Sequence, residues 1–145
     1  MTDLETRARA LFDAGLAAAD PTGAVARAMD QVLADPPDAG GRWQVIALGK
    51  AAGAMARAAL AHLPAGTDAL GVTNPENAGA VPAGAQVVLG DHPVPSARSL
   101  QAGAAILDCL AGCGAQDRVL ALISGGGSAL AVAPVAGVSL PDKAA

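Results

Sequence analysis

Residues 42–50 read RWQVIALGK, a short and largely apolar run that ends in a glycine and a lysine. The run has glycines at both ends and no strict alternation of apolar and polar residues, which is typical of a strand buried on both faces. Residues at helical spacing follow at once, namely Ala52, Met55, Ala56, Ala59, Leu60 and Leu63. A buried strand, a tight glycine turn and a helix are the beginning of an α/β unit.

The N-terminal side of this unit predicts two helices. The first carries apolar residues at helical spacing, namely Leu4, Ala8, Leu11, Phe12 and Leu16. The second begins with Asp20 as the N-cap and Pro21 as the first helical residue, and it ends before the prolines at 36 and 37.

The C-terminal side predicts three further strands, at residues 69–73, 86–89 and 118–123, each a short apolar run. A long helix capped by Ser96 precedes the last of them. Its inward face is predicted to carry Leu100, Ala104, Leu107 and Leu110.

Strands that alternate with helices predict a parallel sheet with helices on both faces. We therefore expect an α/β fold, specifically a doubly wound, Rossmann-like α/β/α sandwich. Residues 1–145 contain no interior linker and are expected to form one unit. The run SLPD at residues 139–142 is a helix start signal with only three residues after it. This predicts that the sandwich is truncated.

Composition limits the classes of function. The net charge is −4 and no basic run exists, which argues against nucleic acid and anionic membranes as partners. No apolar stretch approaches the roughly 20 residues that cross a bilayer. The charged N-terminus does not resemble a secretory signal. The two cysteines, Cys109 and Cys113, are four residues apart and are interpreted as small buried apolar groups, with half of a metal site as the alternative. A cytoplasmic protein without a metal-ligand cluster of its own is expected.

The strongest signal for chemistry is the loop that follows the strand at 118–123. It contains three glycines between two serines, namely Ser124, Gly125, Gly126, Gly127 and Ser128. Glycines let the backbone approach a ligand, and the N–H groups of a helix starting there would face a phosphate or carboxylate. The alternative is a plain tight turn.

The glycine loop matches neither common nucleotide fingerprint. A dinucleotide motif starting at Gly125 would need a glycine in place of Leu130. A Walker A loop ending at Lys50 would need a glycine at Gln44 and a serine or threonine at Ala51. The sequence therefore supports neither a standard nicotinamide fold nor a P-loop enzyme.

Three more candidate residues follow predicted strands, whose carboxyl ends meet at one edge of a parallel sheet. Lys50 is either a solvated lysine or the cation that phosphoryl transfer requires. His92 lies on a proline-rich loop and suits either ligand contact or a bond within its own loop. Asn74 belongs to a polar loop with Glu76, and we interpret both first as loop-forming residues. Asn74 is also a candidate for binding substrate or phosphate, and the carboxylate of Glu76 could reach a metal or a hydroxyl.

At these stretches the sequence resembles the glycerate 2-kinase family, whose members are often labelled hydroxypyruvate reductase. The matching segments, in family order and spacing, are residues 47–52 (ALGKAA), 55–56 (MA), 72–74 (VTN), 92–95 (HPVP), 122–130 (LISGGGSAL), Pro134, and 139–143 around SL and DK. Two residues depart from the family pattern. Ser96 stands where an aspartate is common, and Pro75 stands where an aromatic residue is common.

The resemblance implies a kinase that transfers the γ-phosphoryl group of ATP to the 2-hydroxyl of D-glycerate, with Mg²⁺ as second cofactor. It implies that the active-site lysine is Lys50 and that residues 124–128 form the ligand loop. It also implies that residues 1–145 are the N-terminal portion of the nucleotide and substrate domain, and that a second, smaller C-terminal domain is absent. Two alternatives stay open. One is a hydroxypyruvate reductase, against which the missing dinucleotide fingerprint argues. The other is a fragment that binds ligand without turnover, which we expect of the 145-residue chain by itself.

Overall fold

A computed structural model describes residues 2–144 and confirms the predicted α/β fold. Its helices are α1 (Asp3–Ala18), α2 (Pro21–Leu33), α3 (Ala52–Leu60), α4 (Ala97–Ala111), α5 (Gly127–Leu130) and α6 (Leu140–Ala144). Its strands are β1 (Trp43–Leu48), β2 (Asp68–Thr73), β3 (Gln86–Leu89) and β4 (Arg118–Ile123). A 3₁₀ helix spans Pro75–Ala80.

The four strands form one parallel sheet in the order β3-β2-β1-β4. The central strand β1 pairs with β2 on one side and with β4 on the other, so that Leu48 lies level with Val72 and Ile123. Because all four strands point the same way, the loops that follow them share one edge of the sheet. This register places the loop after β1 directly beside the glycine loop after β4.

Each face of the sheet has its own apolar cluster. On one face, α2 and α3 cover Trp43, Val45 and Ala47 of β1, and Met29 of α2 is only 1% exposed. On the other face, α4 and α5 cover Leu70 and Val72 of β2, while partly buried Leu48 packs against the same cluster. Many of the helix residues in contact with the sheet are alanines, which lets the helices lie close to it. The sheet is therefore covered on both faces over its central strands.

The inward face of α4 differs from the sequence prediction. It carries Ser99, Ala102 and Gly103. Of the residues predicted to face inward, Leu100 is half-buried, and Ala104, Leu107 and Leu110 are exposed. This face of α4 requires small residues because the backbone at Val132 packs directly against it. A Cβ on Gly103 would collide with the carbonyl of Val132. Larger leucines at that contact would hold the two segments apart.

Coverage of the sheet is also incomplete at β4, which is an edge strand. Its even-numbered residues face α2 and α3, and Leu122 is buried among them. On the opposite face, Val119 is 39% exposed and Ile123 is 72% exposed. Within residues 2–144, the helices therefore leave one face of this edge strand uncovered.

Helix α1 forms as predicted, with Thr2 and Glu5 making a reciprocal capping box at its start. None of its residues is buried, and its apolar stripe faces solvent, with Phe12 65% exposed. The helix is therefore held by its own hydrogen bonds and cap rather than by packing against the sheet.

Candidate functional site

The loops after β1 and β4 are joined by direct hydrogen bonds at the carboxyl edge of the sheet. The backbone N–H of Lys50 donates to the carbonyl of Gly125 at 3.0 Å. The hydroxyl of Ser124 accepts the N–H of Ala51 at 3.0 Å and donates to the carbonyl of Leu48 at 3.4 Å. These bonds fix the glycine loop relative to the start of α3.

The hydroxyl of Ser124 is thus engaged inside the protein. Its hydrogen bonds place Ser124 between the two loops, while Ser128 is exposed. Ligand binding by these two serines stays a prediction. Ala51, the partner of Ser124, was not singled out from the sequence, because an alanine contributes only a backbone N–H here and carries no signal of its own.

Gly49 makes the junction possible. Its φ is +119°, a conformation that side chains disfavour, and a Cβ there would lie 2.6 Å from the carbonyl oxygen of Ser124 and would also collide with its hydroxyl. Only a glycine lets the chain turn out of β1 this close to the loop after β4.

Gly126 is the point where three predicted site features meet. Its φ is +92°, and a Cβ on it would lie 3.1 Å from Cδ2 of His92 and 3.5 Å from Cγ of Lys50. The loop after β3 therefore reaches back across the sheet edge to the loop after β4. His92 and Lys50 flank one glycine, and both side chains are exposed.

Four consecutive backbone N–H groups of the loop donate to no acceptor within residues 2–144. They belong to Gly125, Gly126, Gly127 and Ser128. The following N–H groups, of Ala129 and Leu130, both donate to the carbonyl of Gly126 at 3.1 Å. A row of free donors beside a lysine is suited to an anion with several oxygens.

The helix after the loop is short. It begins at Gly127, but α5 has only four residues and ends at Leu130. A single turn has a small dipole, so the free N–H groups and the lysine dominate the electrostatics of the loop.

The side chain of Asn74 is committed to its own loop. Its carbonyl oxygen accepts the hydroxyl of Thr73 at 3.3 Å and the amide of Asn77 at 2.6 Å, and its own amide donates to Glu76. This matches the interpretation of Asn74 as a loop-forming residue. Its role as a ligand contact stays a prediction.

The described residues offer no ready-made metal site. Within residues 2–144, no group of three or more His, Cys, Asp or Glu side chains is placed to hold an ion.

Cys109 and Cys113 are free and half-buried, and the thiol of Cys113 lies 3.4 Å from the carbonyl of Cys109. Burial raises the pKa of the Cys109 thiol, as does the neighbouring Cys113.

No helix between residues 2 and 144 has both the length and the apolar character needed to cross a membrane.

Residues 7–145 match a family described as a domain of unknown function, DUF4147. The chain belongs to the DUF4147 family. Over 138 residues, this DUF4147 chain is 41% identical to an Agrobacterium vitis protein with the provisional name hydroxypyruvate reductase, covering 94% of the chain and 30% of that relative. It is also 36% identical over 138 residues to the glycerate 2-kinase of Pyrococcus horikoshii, covering 91% of the chain and 31% of that relative.

A solved structure gives the same result for the fold. The crystal structure of glycerate kinase from Thermotoga maritima superposes on 96% of the DUF4147 chain with a TM-score of 0.81 and 28% sequence identity. The match covers 32% of that protein. These findings confirm the resemblance to the glycerate 2-kinase family. The chain spans about a third of the length of the relatives that it matches.

Proposed function

We propose that this DUF4147 chain forms one side of the active site of a glycerate 2-kinase, which transfers the γ-phosphoryl group of ATP to the 2-hydroxyl of D-glycerate. The observation that carries the proposal is the row of four free N–H groups at residues 125–128, with Lys50 and His92 beside Gly126. The names of two relatives, glycerate 2-kinase and glycerate kinase, support this choice of reaction.

In phosphoryl transfer, an enzyme acts mainly by positioning the reactants and neutralising the charge on the phosphoryl oxygens. The free N–H groups of residues 125–128 are suited to bind those oxygens, or the carboxylate of glycerate, without any side chain in the way. Lys50 is suited to neutralise negative charge that develops on the transferring group. The bonds of Ser124 and Gly125 to the β1 loop hold the lysine and the N–H groups at a fixed separation.

When bound, Mg²⁺ would neutralise charge on the phosphate oxygens. The described residues lack a cluster of carboxylates that would cage the ion. Proteins usually hold Mg²⁺ with nucleotides through one or two carboxylates, water and the phosphates themselves. Two carboxylates lie close in sequence to candidate site residues. Asp91 is next to His92 and is paired with Arg98, whereas Glu76 lies two residues after Asn74 and is exposed.

We further propose that residues 1–145 are the N-terminal portion of the nucleotide and substrate domain, and that the rest of the family's length completes the site. The chain spans about a third of its relatives, and the uncovered face of β4 at Val119 and Ile123 is a surface for that remainder to cover. The 145-residue chain alone should show no kinase activity, because transfer requires donor and acceptor to be positioned together. Glycerate-dependent ADP release by the purified chain would contradict this.

Reduction of hydroxypyruvate is the alternative that the provisional name of one relative suggests. The described loop does not favour it. Leu130, where a dinucleotide motif would place a glycine, is fully buried in the core at 0% exposure. Oxidation of NADH or NADPH by a protein of the full family length, dependent on hydroxypyruvate and independent of ATP, would favour the reductase.

The kinase proposal is tested by Lys50→Ala in a protein that carries residues 1–145 together with the rest of the family's length. Loss of a charge contact to the transferring phosphoryl group should lower kcat/KM for glycerate by roughly 10²-fold or more. Lys143→Ala on α6 is the control and should leave the rate unchanged. Activity of Lys50→Ala within a few-fold of the wild type would remove Lys50 from the mechanism.

A further inference from the structure

A single buried hydroxyl ties together the two ends of the loop that carries His92. Ser99 lies in the first turn of α4 and is 0% exposed. Its Oγ accepts the backbone N–H of Asp91 at 3.1 Å and the backbone N–H of Ser96 at 3.1 Å. The residues between these two anchors are His92, Pro93, Val94 and Pro95, and the His92–Pro93 peptide bond is cis.

Charged and hydroxyl groups reinforce the same anchors on the outside of the loop. The carboxylate of Asp91 accepts the hydroxyl of Ser96 and pairs with the guanidinium of Arg98 at 3.0 Å. The hydroxyl oxygen of Ser96 in turn accepts the N–H of Arg98 at 3.1 Å. Because Arg98 is about half exposed, solvent screens its ion pair, and the buried hydroxyl of Ser99 is the stronger restraint.

Ser99 also reaches the other side of the candidate site. Its backbone carbonyl accepts the N–H of Val132 at 3.0 Å, two residues after the end of α5. That segment begins with Gly126, against which the ring of His92 lies. One residue therefore fixes both the loop that carries His92 and the segment that carries the free N–H groups.

We infer that Ser99 is a positioning residue that holds the His92 ring against Gly126 and so forms one wall of the anion site. The assignment of that site to phosphate rests on the proposed function, whereas the placement of His92 does not. An ordinary helix cap would need only one acceptor for the first turn of α4. The second bond, from Asp91 on the far side of the loop, has no function in capping and closes the loop instead.

The test uses the 145-residue chain, its Ser99→Ala variant and NMR. In the wild type, the ring Hδ2 of His92 should show a nuclear Overhauser effect to the α-protons of Gly126, and the amides of Asp91 and Ser96 should be protected from exchange. In Ser99→Ala, both amides should exchange about tenfold faster or more, because their acceptor is gone and the loop opens locally. The contact between His92 and Gly126 should be lost, and the Kd for inorganic phosphate should rise several-fold.

Three further variants separate positioning from general stability. Val25→Ala removes buried volume from α2 on the opposite face of the sheet and should keep the contact between His92 and Gly126. Ser99→Thr restores the acceptor oxygen and should recover both the contact and the phosphate affinity. If Ser99→Ala does not fold, Ser99→Cys, which keeps the size and a weaker acceptor, gives the same comparison.

The outcomes distinguish this inference from the proposed function. Loss of the His92–Gly126 contact in Ser99→Ala supports the inference, even if the wild type binds no phosphate and the proposed function fails. Retention of that contact and of amide protection in Ser99→Ala overturns the inference, whatever the affinity for phosphate. Loss of the contact to the same extent in Val25→Ala also overturns it, since the effect would then report stability alone.

Discussion

The backbone N–H of Lys50 donates a 3.0 Å hydrogen bond to the carbonyl of Gly125, so the candidate cation and the glycine loop share a backbone contact. This bond crosses from the end of β1 to the end of β4, which are neighbours in the sheet. Any ligand bound by the free N–H groups at residues 125–128 therefore lies near the start of the Lys50 side chain. The parallel pairing of β1 with β4 therefore places the positive charge of Lys50 beside the free N–H donors of the glycine loop.

Gly49→Ala should destabilise the protein strongly. The φ of +119° disfavours any side chain, and a Cβ would collide with Ser124, so we expect a loss of about 1–3 kcal/mol or more in the free energy of unfolding. The matched control is Gly15→Ala within α1, where a Cβ meets nothing within 4 Å. That change should alter the free energy of unfolding by about 0.5 kcal/mol or less, because α1 has no buried residue. Urea denaturation measures both, and equal effects at the two sites would contradict the account of the junction.

A buried and an exposed side chain, on two different helices, give a second comparison. Met29→Ala on α2 removes a side chain that is 1% exposed and should cost about 2–5 kcal/mol. Phe12→Ala on α1 removes one that is 65% exposed and should change stability by about 0.5 kcal/mol or less. Thermal unfolding of the 145-residue chain measures both. A large loss in Phe12→Ala would show that α1 packs against the body of the protein.

Acid stability should depend on Asp117, which lies directly before β4. Backbone N–H groups of Gly114 and Arg42 donate to its carboxylate at 2.8 Å each and hold its pKa below the usual value. A lowered pKa in the folded state stabilises the protein above the unfolded pKa of about 3.9, and this contribution is lost as pH falls through the folded pKa.

Asp117→Asn should therefore be less stable than the wild type at neutral pH, and the difference should shrink as pH falls below about 4. Asp108→Asn, an exposed position on α4, is the control. Urea midpoints between pH 7 and pH 2.5 provide the measurement. A difference that stays constant over this range would show that the hydrogen bonds of Asp117 do not favour its charged form.

The sequence predicted those features that depend on local pattern. Apolar runs located all four strands, and Asp20 with Pro21 located the start of α2, because strand burial and helix capping are written in neighbouring residues. The carboxyl edge of the sheet followed from parallel pairing alone. The position of this edge was enough to group Lys50 and residues 124–128 as candidate site residues.

Features that depend on distant contacts could not be predicted in the same way. The inward face of α4 is set by the backbone at Val132, some thirty residues away, and not by the leucines that dominate its apolar pattern. The hydroxyl of Ser124 accepts the backbone N–H of Ala51. The hydroxyl of Ser99 accepts N–H groups from both ends of the loop that carries His92. Such hydrogen bonds produce no periodic pattern in the sequence. A single serine has the same sequence signal whether its hydroxyl binds ligand, solvent or backbone.

Substitution of Gly126 is a poor test of ligand binding. Because its φ is +92° and its Cβ would touch His92, a side chain there disturbs the backbone first. Gly125 has neither constraint, and a Cβ on it meets nothing within 4 Å. Titrations on the unaltered loop are therefore the cleaner approach, with Lys50→Ala as the variant that weakens binding.

The central claim is that the free N–H groups of the glycine loop bind an anion. It is tested most directly by titrating the ¹⁵N-labelled 145-residue chain with inorganic phosphate at constant ionic strength and following the amide signals by NMR. We expect the amides of Gly125, Gly126, Gly127 and Ser128 to shift together and to saturate, with weaker binding in Lys50→Ala. If these four signals do not move while amides of other loops do, the glycine loop is a structural turn and the claim is contradicted.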